Sequence, residues 1–98
     1  MLDVVQTDES AKWLKRLKDT AARARILLRI QRLVVTGNFG DTKPVGDGVF
    51  EMRIDYGPGY RLYYALRGSE VVLLLVGGDK SSQQKDVVKA KKLNQEYE

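Results

Sequence analysis

Two neighbouring stretches with apolar residues at every second position constrain the fold most. The stretches are Val49–Asp55 and Tyr60–Arg67, and their period of two is typical of half-buried strands. Gly57–Gly59, which reads Gly-Pro-Gly, is a turn signal between them. The two stretches are therefore predicted to form a β-hairpin with one apolar face and one charged face.

The side-chain faces restrict how this hairpin can pair, because a slip by one residue would turn arginines into the core. A three-residue loop at Gly57–Gly59 satisfies this condition. It sets Asp55 opposite Arg61 and Arg53 opposite Tyr63, which leaves the two arginines diagonal to each other at about 7–8 Å. The face that carries Arg53, Arg61 and Tyr63, here called the arginine face, is expected to be a solvated surface or a polyanion site.

Composition narrows the possible chemistry. The chain has 98 residues, and residues 1–98 are expected to form one domain. It contains no cysteine and no histidine, which excludes disulfides, a thiol nucleophile and the commonest general base and metal ligand, so no metal or cofactor is expected. The net charge of +4 favours an anionic partner. Since neither a membrane span nor a signal peptide is evident, a cytoplasmic location is expected.

The segment before the hairpin is predicted to hold one strand and two helices. Met1–Gln6 is a candidate strand, and Thr7 is a candidate cap for a helix that reaches about Lys18. After a break and new cap at Asp19, a second helix is predicted over residues 21–36, ended by Gly37. Residues 38–48, rich in Gly, Asp and Pro, are predicted to be a loop.

The segment after the hairpin is predicted to hold a buried strand and a helix. Val71–Val76 is apolar at every position, which indicates a strand covered on both faces. Ser81, with Gln84 three residues later, has the spacing of a capping box for a helix that reaches about Tyr97. The element order β-α-α-β-β-β-α favours an α+β fold, in which a helical hairpin and a C-terminal helix pack on an antiparallel sheet.

Three segments resemble one known family. They are Gly40–Asp55, Gly59–Tyr64 and Gly77–Gln83, which contain the strings K-P-V-G-D-G-V-F-E, G-Y-R-L-Y-Y and G-G-D-K. They are similar to the RelE/ParE superfamily, and the first and third point to its HigB-like branch, the "addiction module killer protein". Members are toxins of type II toxin–antitoxin modules. The resemblance implies a RelE-like fold and a cognate antitoxin, commonly a helix-turn-helix DNA-binding protein, in a hetero-oligomeric complex.

Two activities are implied by different members of the superfamily. RelE-like members cut mRNA in the ribosomal A site, whereas ParE-like members inhibit DNA gyrase without cutting RNA. The resemblance to RelE therefore predicts a metal-independent, ribosome-dependent endoribonuclease. A gyrase inhibitor, and a basic binding module that only pairs with its antitoxin or with nucleic acid, remain the alternatives.

Residue roles follow from the same resemblance. Arg61 aligns with an arginine that contacts the scissile phosphate, Arg53 with a basic position suited to charge stabilisation, and Lys80 with a residue that stabilises the transition state or leaving group. Glu51 replaces a lysine of RelE and is a candidate general base. Val87 and Val88 lie where RelE has a functional tyrosine, for which Tyr63 or Tyr60 is a candidate substitute.

Further positions are candidates for RNA contact. Lys43, in the predicted loop, is a candidate for RNA binding or proton abstraction, and Tyr63 is a candidate for stacking on a base. Arg25, Arg29 and Arg32 share one helix face, which is either solvated or in contact with ribosomal RNA.

Overall fold

The computed structural model describes residues 2–69 and 71–97, so Met1, Glu70 and Glu98 lie outside the description. The predicted α+β class is confirmed. The elements, in chain order, are β1 (Asp3–Gln6), α1 (Asp8–Arg16), α2 (Thr20–Thr36), β2 (Thr42–Gly46), β3 (Val49–Ile54), β4 (Tyr60–Arg67), β5 (Val71–Gly78), a 3₁₀ turn (Lys80–Ser82) and α3 (Gln83–Glu96).

The strands form one sheet in the order β1-β5-β4-β3-β2. The pairs among β2 to β5 are antiparallel, as predicted, whereas β1 runs parallel to β5. The prediction of a loop over residues 38–48 is wrong for its second half, which forms β2. Pro44 does not prevent this, because β2 is an edge strand and an edge position does not need every backbone N–H.

The helix ends are set by the residues that the sequence indicated. The Thr7 hydroxyl accepts a hydrogen bond from the Ser10 N–H, and the Asp19 carboxylate accepts one from the Ala22 N–H. Gly37 ends α2 in the left-handed conformation, with φ 73°. The first helix ends two residues earlier than predicted, at Arg16. Within residues 2–69 and 71–97, no helix is long and apolar enough to cross a membrane.

The hairpin keeps its predicted faces but not its predicted register. Arg53 pairs with Arg61, and Glu51 pairs with Tyr63, so β4 is shifted by two positions from the expected pairing. The connection therefore runs from Asp55 to Gly59 instead of spanning three residues. A shift of two residues returns every side chain to the same face, which is why the alternation alone could not detect it.

Both faces of the sheet are covered. Helices α1 and α2 cover the apolar face around Met52 and Leu62, and α3 covers the other around Tyr63 and Ala90. The strand β5 is buried on both sides from Val72 to Gly78, as its sequence predicted. The arginine face is thus not an open surface, because α3 covers its middle and leaves only the hairpin end accessible.

The first turn of α3 differs from the prediction. Asp79 caps the 3₁₀ turn that precedes α3, and its carboxylate accepts hydrogen bonds from the backbone N–H and the hydroxyl of Ser81. The α-helix itself starts at Gln83. The capping box expected between Ser81 and Gln84 does not form because the Ser81 hydroxyl is bound to Asp79. The acidic residue one step before the turn therefore organises it.

Candidate functional site

A cleft of about 290 Å³ opens at the accessible end of the β3–β4 hairpin and brings both predicted arginines together. We call it the arginine cleft. It lies where α3 no longer covers the sheet, so a ligand can approach it from solvent. Its lining residues are Asp41, Arg53, Ile54, Asp55, Gly59, Tyr60 and Arg61.

Arg53 is the more exposed of the two arginines, with 40% of its side chain accessible. Its Nη2 donates a hydrogen bond of 2.8 Å to Asp41 Oδ1. This bond, followed by the charge of Asp41, raises the pKa of Arg53, so the guanidinium is firmly cationic. A phosphate that bound Arg53 would have to compete with Asp41, whose side chain is itself exposed.

Arg61 is held more tightly and has only 13% of its side chain accessible. Its Nη1 donates a hydrogen bond of 2.9 Å to the Gly59 carbonyl, and its Nε lies 3.6 Å from Glu51 Oε2. The hydrogen bond, together with the ion pair to Glu51, restrains the guanidinium in the lining of the cleft. Such restraint is what a preorganised anion site requires, since little ordering remains to be done when the ligand arrives.

Glu51 is completely buried beneath the start of α3. Its Oε2 accepts hydrogen bonds from the Tyr63 hydroxyl at 2.9 Å and from Gln83 Nε2 at 3.0 Å. Among the described residues, its Oε1 has no hydrogen-bond partner. A buried carboxylate is costly unless a cation is near, and Arg61 is the nearby cation. Glu51 is thus removed from the set of groups that can take a proton from a substrate.

Tyr63 is buried as well and has no accessible ring surface. Burial, followed by its hydrogen bond to Glu51, raises the pKa of Tyr63 above its usual value. The expectation that Tyr63 stacks on a base is therefore wrong, because α3 covers the ring. Of the two tyrosines that are candidate substitutes for the functional tyrosine of RelE, only Tyr60 lines the arginine cleft, and desolvation raises its pKa also.

Lys80 lies beside the cleft but does not line it. A Cβ added to Gly59 would lie 3.5 Å from Arg61 Nη1 and 3.8 Å from Lys80 Cβ, so the base of the Lys80 side chain flanks the turn that holds Arg61. The Lys80 side chain starts from the 3₁₀ turn capped by Asp79. The hydrogen bonds from Ser81 lower the pKa of Asp79, which keeps this cap ionised.

The remaining candidates are spread around the cleft. Arg29 is half-buried, and its terminal nitrogens donate hydrogen bonds to the carbonyls of Arg53 at 2.6 Å and Phe39 at 3.0 Å. Desolvation lowers the pKa of Arg29. These contacts brace the chain behind the cleft and remove Arg29 from the RNA-contact candidates. Arg25 lies over the Tyr56 ring at 4.4 Å, and Lys43 is exposed on β2.

The sequence does not predict two polar residues of the site, Asp41 and Gln83. Asp41 lines the cleft beside Asp55, and Gln83 anchors the buried Glu51. Because residues 38–48 are predicted to be a loop, the sequence does not predict that Asp41 approaches Arg53. The signal that indicates β2 is Asp47-Gly48, a sequence typical of a tight hairpin turn, and both residues have the positive φ that such a turn requires.

In the described part of the chain, the side chains do not form a metal site. There, no group of three or more His, Cys, Asp or Glu side chains is placed to hold a metal ion. The groups that the cleft offers to a ligand are guanidiniums, carboxylates and one phenol.

Comparisons with known proteins agree with this fold. The family model described as "Phage derived protein Gp49-like (DUF891)" matches residues 12–98. An uncharacterised protein of Haemophilus influenzae is 55% identical over 84 residues, which cover 86% of this chain and 84% of that protein. A mutant of E. coli toxin RelE in the free state is similar with a TM-score of 0.74 at 17% identity, covering 93% of this chain and 95% of that one.

A second solved structure, the intact E. coli RelBE toxin–antitoxin complex, contains a similar chain. The TM-score is 0.66 at 17% identity, and the match covers 81% of this chain and 96% of that one. The predicted RelE-like fold is confirmed by these likenesses. The assignment to the HigB-like branch stays a prediction.

Proposed function

The chain belongs to the Gp49-like family of phage-derived proteins, and from its RelE-like fold and arginine cleft we propose that it is the toxin of a type II toxin–antitoxin module. We further propose that it is a ribosome-dependent mRNA endoribonuclease. The observation that carries this proposal is the pairing of Arg53 with Arg61 at the accessible end of the sheet. Two guanidinium groups on paired strands can donate hydrogen bonds to the two non-bridging oxygens of a phosphodiester.

The proposed reaction uses RNA, water, the residues of the cleft and the neighbouring Lys80. The 2′-oxygen bonds to phosphorus while the bond from phosphorus to the 5′-oxygen breaks. Arg61 and Arg53 stabilise the added negative charge on the phosphorus centre. Water accepts the 2′-hydroxyl proton, because the buried Glu51 is out of reach. The phenol of Tyr60, which lines the cleft, donates a proton to the leaving oxygen, and Lys80 stabilises that oxygen from the neighbouring turn.

Ribosome dependence has a physical basis in the acidic residues of the cleft. Asp41 occupies Arg53 through an ion pair, and Asp55 adds a second carboxylate to the lining. Exposed arginines attract free RNA only modestly, and both carboxylates weaken this attraction further. RNA already held in place by a ribosome loses less freedom on binding and can displace Asp41.

Partners follow from the proposed module. One chain of this fold occurs in the RelBE toxin–antitoxin complex, and we propose a cognate antitoxin, of the helix-turn-helix class, for this chain. The other partners are the ribosome and its mRNA, which set the cytoplasm as the site of action. Arg25 and Lys43 remain proposed contacts to RNA outside the cleft.

Inhibition of DNA gyrase without catalysis is the second candidate. It is favoured by the burial of Glu51 and Tyr63, which leaves fewer groups for proton transfer than the sequence offered. Inducing the chain in a host cell separates the two candidates. The nuclease produces cut transcripts that require active translation, with plasmid supercoiling unchanged. A gyrase inhibitor produces relaxed or broken DNA with transcripts intact, which would overturn the nuclease proposal.

A further inference from the structure

The outward face of α2 carries apolar side chains that no part of the described chain covers. Leu27, Leu28 and Val35 are 46%, 61% and 62% exposed, although the core side of the same helix is fully buried at Ala22, Ile26 and Leu33. Three large apolar side chains on one outward helix face form a patch, in contrast to a single exposed residue. This face is on the helical-hairpin side of the sheet, away from the site described above.

The spacing of the patch indicates what shape of partner it fits. Exposed residues recur along one line of α2 at intervals of four, three and four, at Ala24, Leu28, Gln31 and Val35. This is the spacing of the seam positions in a coiled coil, where side chains of one helix insert between those of another. Leu27 adds an exposed apolar side chain next to this line. We call these five residues the α2 seam, and its natural complement is a second helix of about three turns.

The charges beside the seam indicate the chemistry of that helix. Arg25 and Arg32 are exposed and occupy equivalent flanking positions, which in coiled coils pair with opposite charges on the partner. The whole of α2 has four arginines and no acidic residue. A second copy of this chain would bring only further arginines, so its approach is opposed by charge. A helix with apolar seam residues and acidic flanks is attracted.

We propose that the α2 seam docks an acidic amphipathic helix of the cognate antitoxin. This inference rests on the proposed function for the identity of the partner, and on seam spacing and charge for the location. Because Arg25 lies at the flank of the seam, the docked helix also covers a proposed RNA contact. The antitoxin thereby masks part of the toxin surface without entering the arginine cleft.

The test uses the full chain and the protein encoded by the reading frame next to its gene. The double variant Leu28→Glu/Val35→Glu places two carboxylates on the seam while keeping good helix formers. We expect at least a 100-fold weaker complex by titration calorimetry. In cells, the variant should remain toxic when that neighbouring protein is co-expressed. Val88→Glu, at an apolar position of α3 that is 69% exposed, is the matched control and should bind within threefold of the wild type.

A second variant tests the charge argument. Arg25→Glu/Arg32→Glu should weaken the complex about tenfold or more and flatten its salt dependence. Circular dichroism must show that each variant is folded.

Three results would overturn the inference. Unchanged affinity of Leu28→Glu/Val35→Glu for an otherwise neutralising neighbour would reject the seam while leaving the proposed function intact. Failure of the wild type to bind the neighbour would reject both. The third result is that the wild type instead binds anionic vesicles or forms a dimer. If Leu28→Glu/Val35→Glu abolished that binding while the complex with the neighbour persisted, the seam would belong to another occupant.

Discussion

Arg53 and Arg61 are directly opposite each other on β3 and β4, and each contacts a different carboxylate. Arg53 is bound to the exposed Asp41 at 2.8 Å, whereas Arg61 lies 3.6 Å from the buried Glu51. The two carboxylates reduce the repulsion between the guanidiniums. The two carboxylates also differ in whether a ligand can replace them. A phosphate can displace the exposed Asp41 but cannot displace Glu51, which is buried beneath α3.

Glu51 is therefore predicted to position Arg61 without touching the substrate. Replacing it as Glu51→Gln keeps the shape but removes the charge next to Arg61 Nε. We expect mRNA cleavage in a translation extract to fall by about 10- to 100-fold, as misplaced catalytic groups typically cause. The free energy of unfolding should fall by up to about 3–5 kcal/mol, since removing one partner of a buried ion pair leaves the mostly buried Arg61 without its carboxylate.

Two comparisons separate this role from a merely structural one. Combining Glu51→Gln with Arg61→Ala should lower cleavage no further than Arg61→Ala alone, because both act through one group. Gln84→Ala, an exposed position next to the Gln83 that contacts Glu51, should leave cleavage unchanged. Wild-type cleavage by Glu51→Gln would contradict the positioning role.

Arg29 is predicted to stabilise the fold. Its guanidinium donates to the carbonyls of Arg53 and Phe39, and hydrogen bonds that involve a charged group contribute about 1.5–3 kcal/mol each. Arg29→Ala should therefore lower the free energy of unfolding in urea by about 2–4 kcal/mol. Arg32→Ala, an exposed arginine of the same helix, should change it by no more than about 0.5 kcal/mol. Equal effects of the two substitutions would show that the carbonyl contacts are unimportant.

Asp79 is predicted to make the turn before α3 sensitive to acid. Hydrogen bonds from Ser81 lower the pKa of Asp79 in the folded protein below its ordinary value of 3.8. A lowered folded pKa adds stability above the unfolded value, and this stability is lost as the pH falls through the folded value. At pH 7, Asp79→Ala should lower the free energy of unfolding by about 1 kcal/mol, the usual worth of such a cap.

The same variant should approach the wild type in acid. Thermal melts of Asp79→Ala and the wild type should converge as the pH falls below 3.8 and through the lowered pKa of the folded cap, because the wild-type carboxylate is protonated only there. A gap in melting temperature that stays constant from pH 7 to pH 3 would show that the carboxylate charge of Asp79 is not what stabilises the turn.

Local signals predicted the local structure well. The alternation in β3 and β4 assigned their faces, and Thr7, Asp19 and Gly37 set helix ends as expected. Each of these depends on a few adjacent residues and on backbone hydrogen bonds that those residues make themselves. The RelE-like fold was implied by the resemblance of three segments and is confirmed by the structural likeness to RelE.

Features that depend on distant residues were not predictable in the same way. The register of β4 changed by two positions because either pairing buries the same face. The burial of Tyr63 depends on α3, which joins the sheet from the end of the chain. One local signal does indicate a non-local contact, since Asp47-Gly48 marks the hairpin that brings β2, and with it Asp41, beside Arg53.

Primer extension on mRNA from cells induced for the wild type or for Arg61→Ala tests the central claim most directly. Arg67→Ala is the matched control, an arginine of the same strand and face at the opposite end of β4. All three proteins must be folded by circular dichroism. We predict translation-dependent cuts with the wild type and Arg67→Ala, and a loss of at least about 100-fold with Arg61→Ala. Undiminished cutting by a folded Arg61→Ala variant would contradict the assignment of the arginine cleft as the catalytic site.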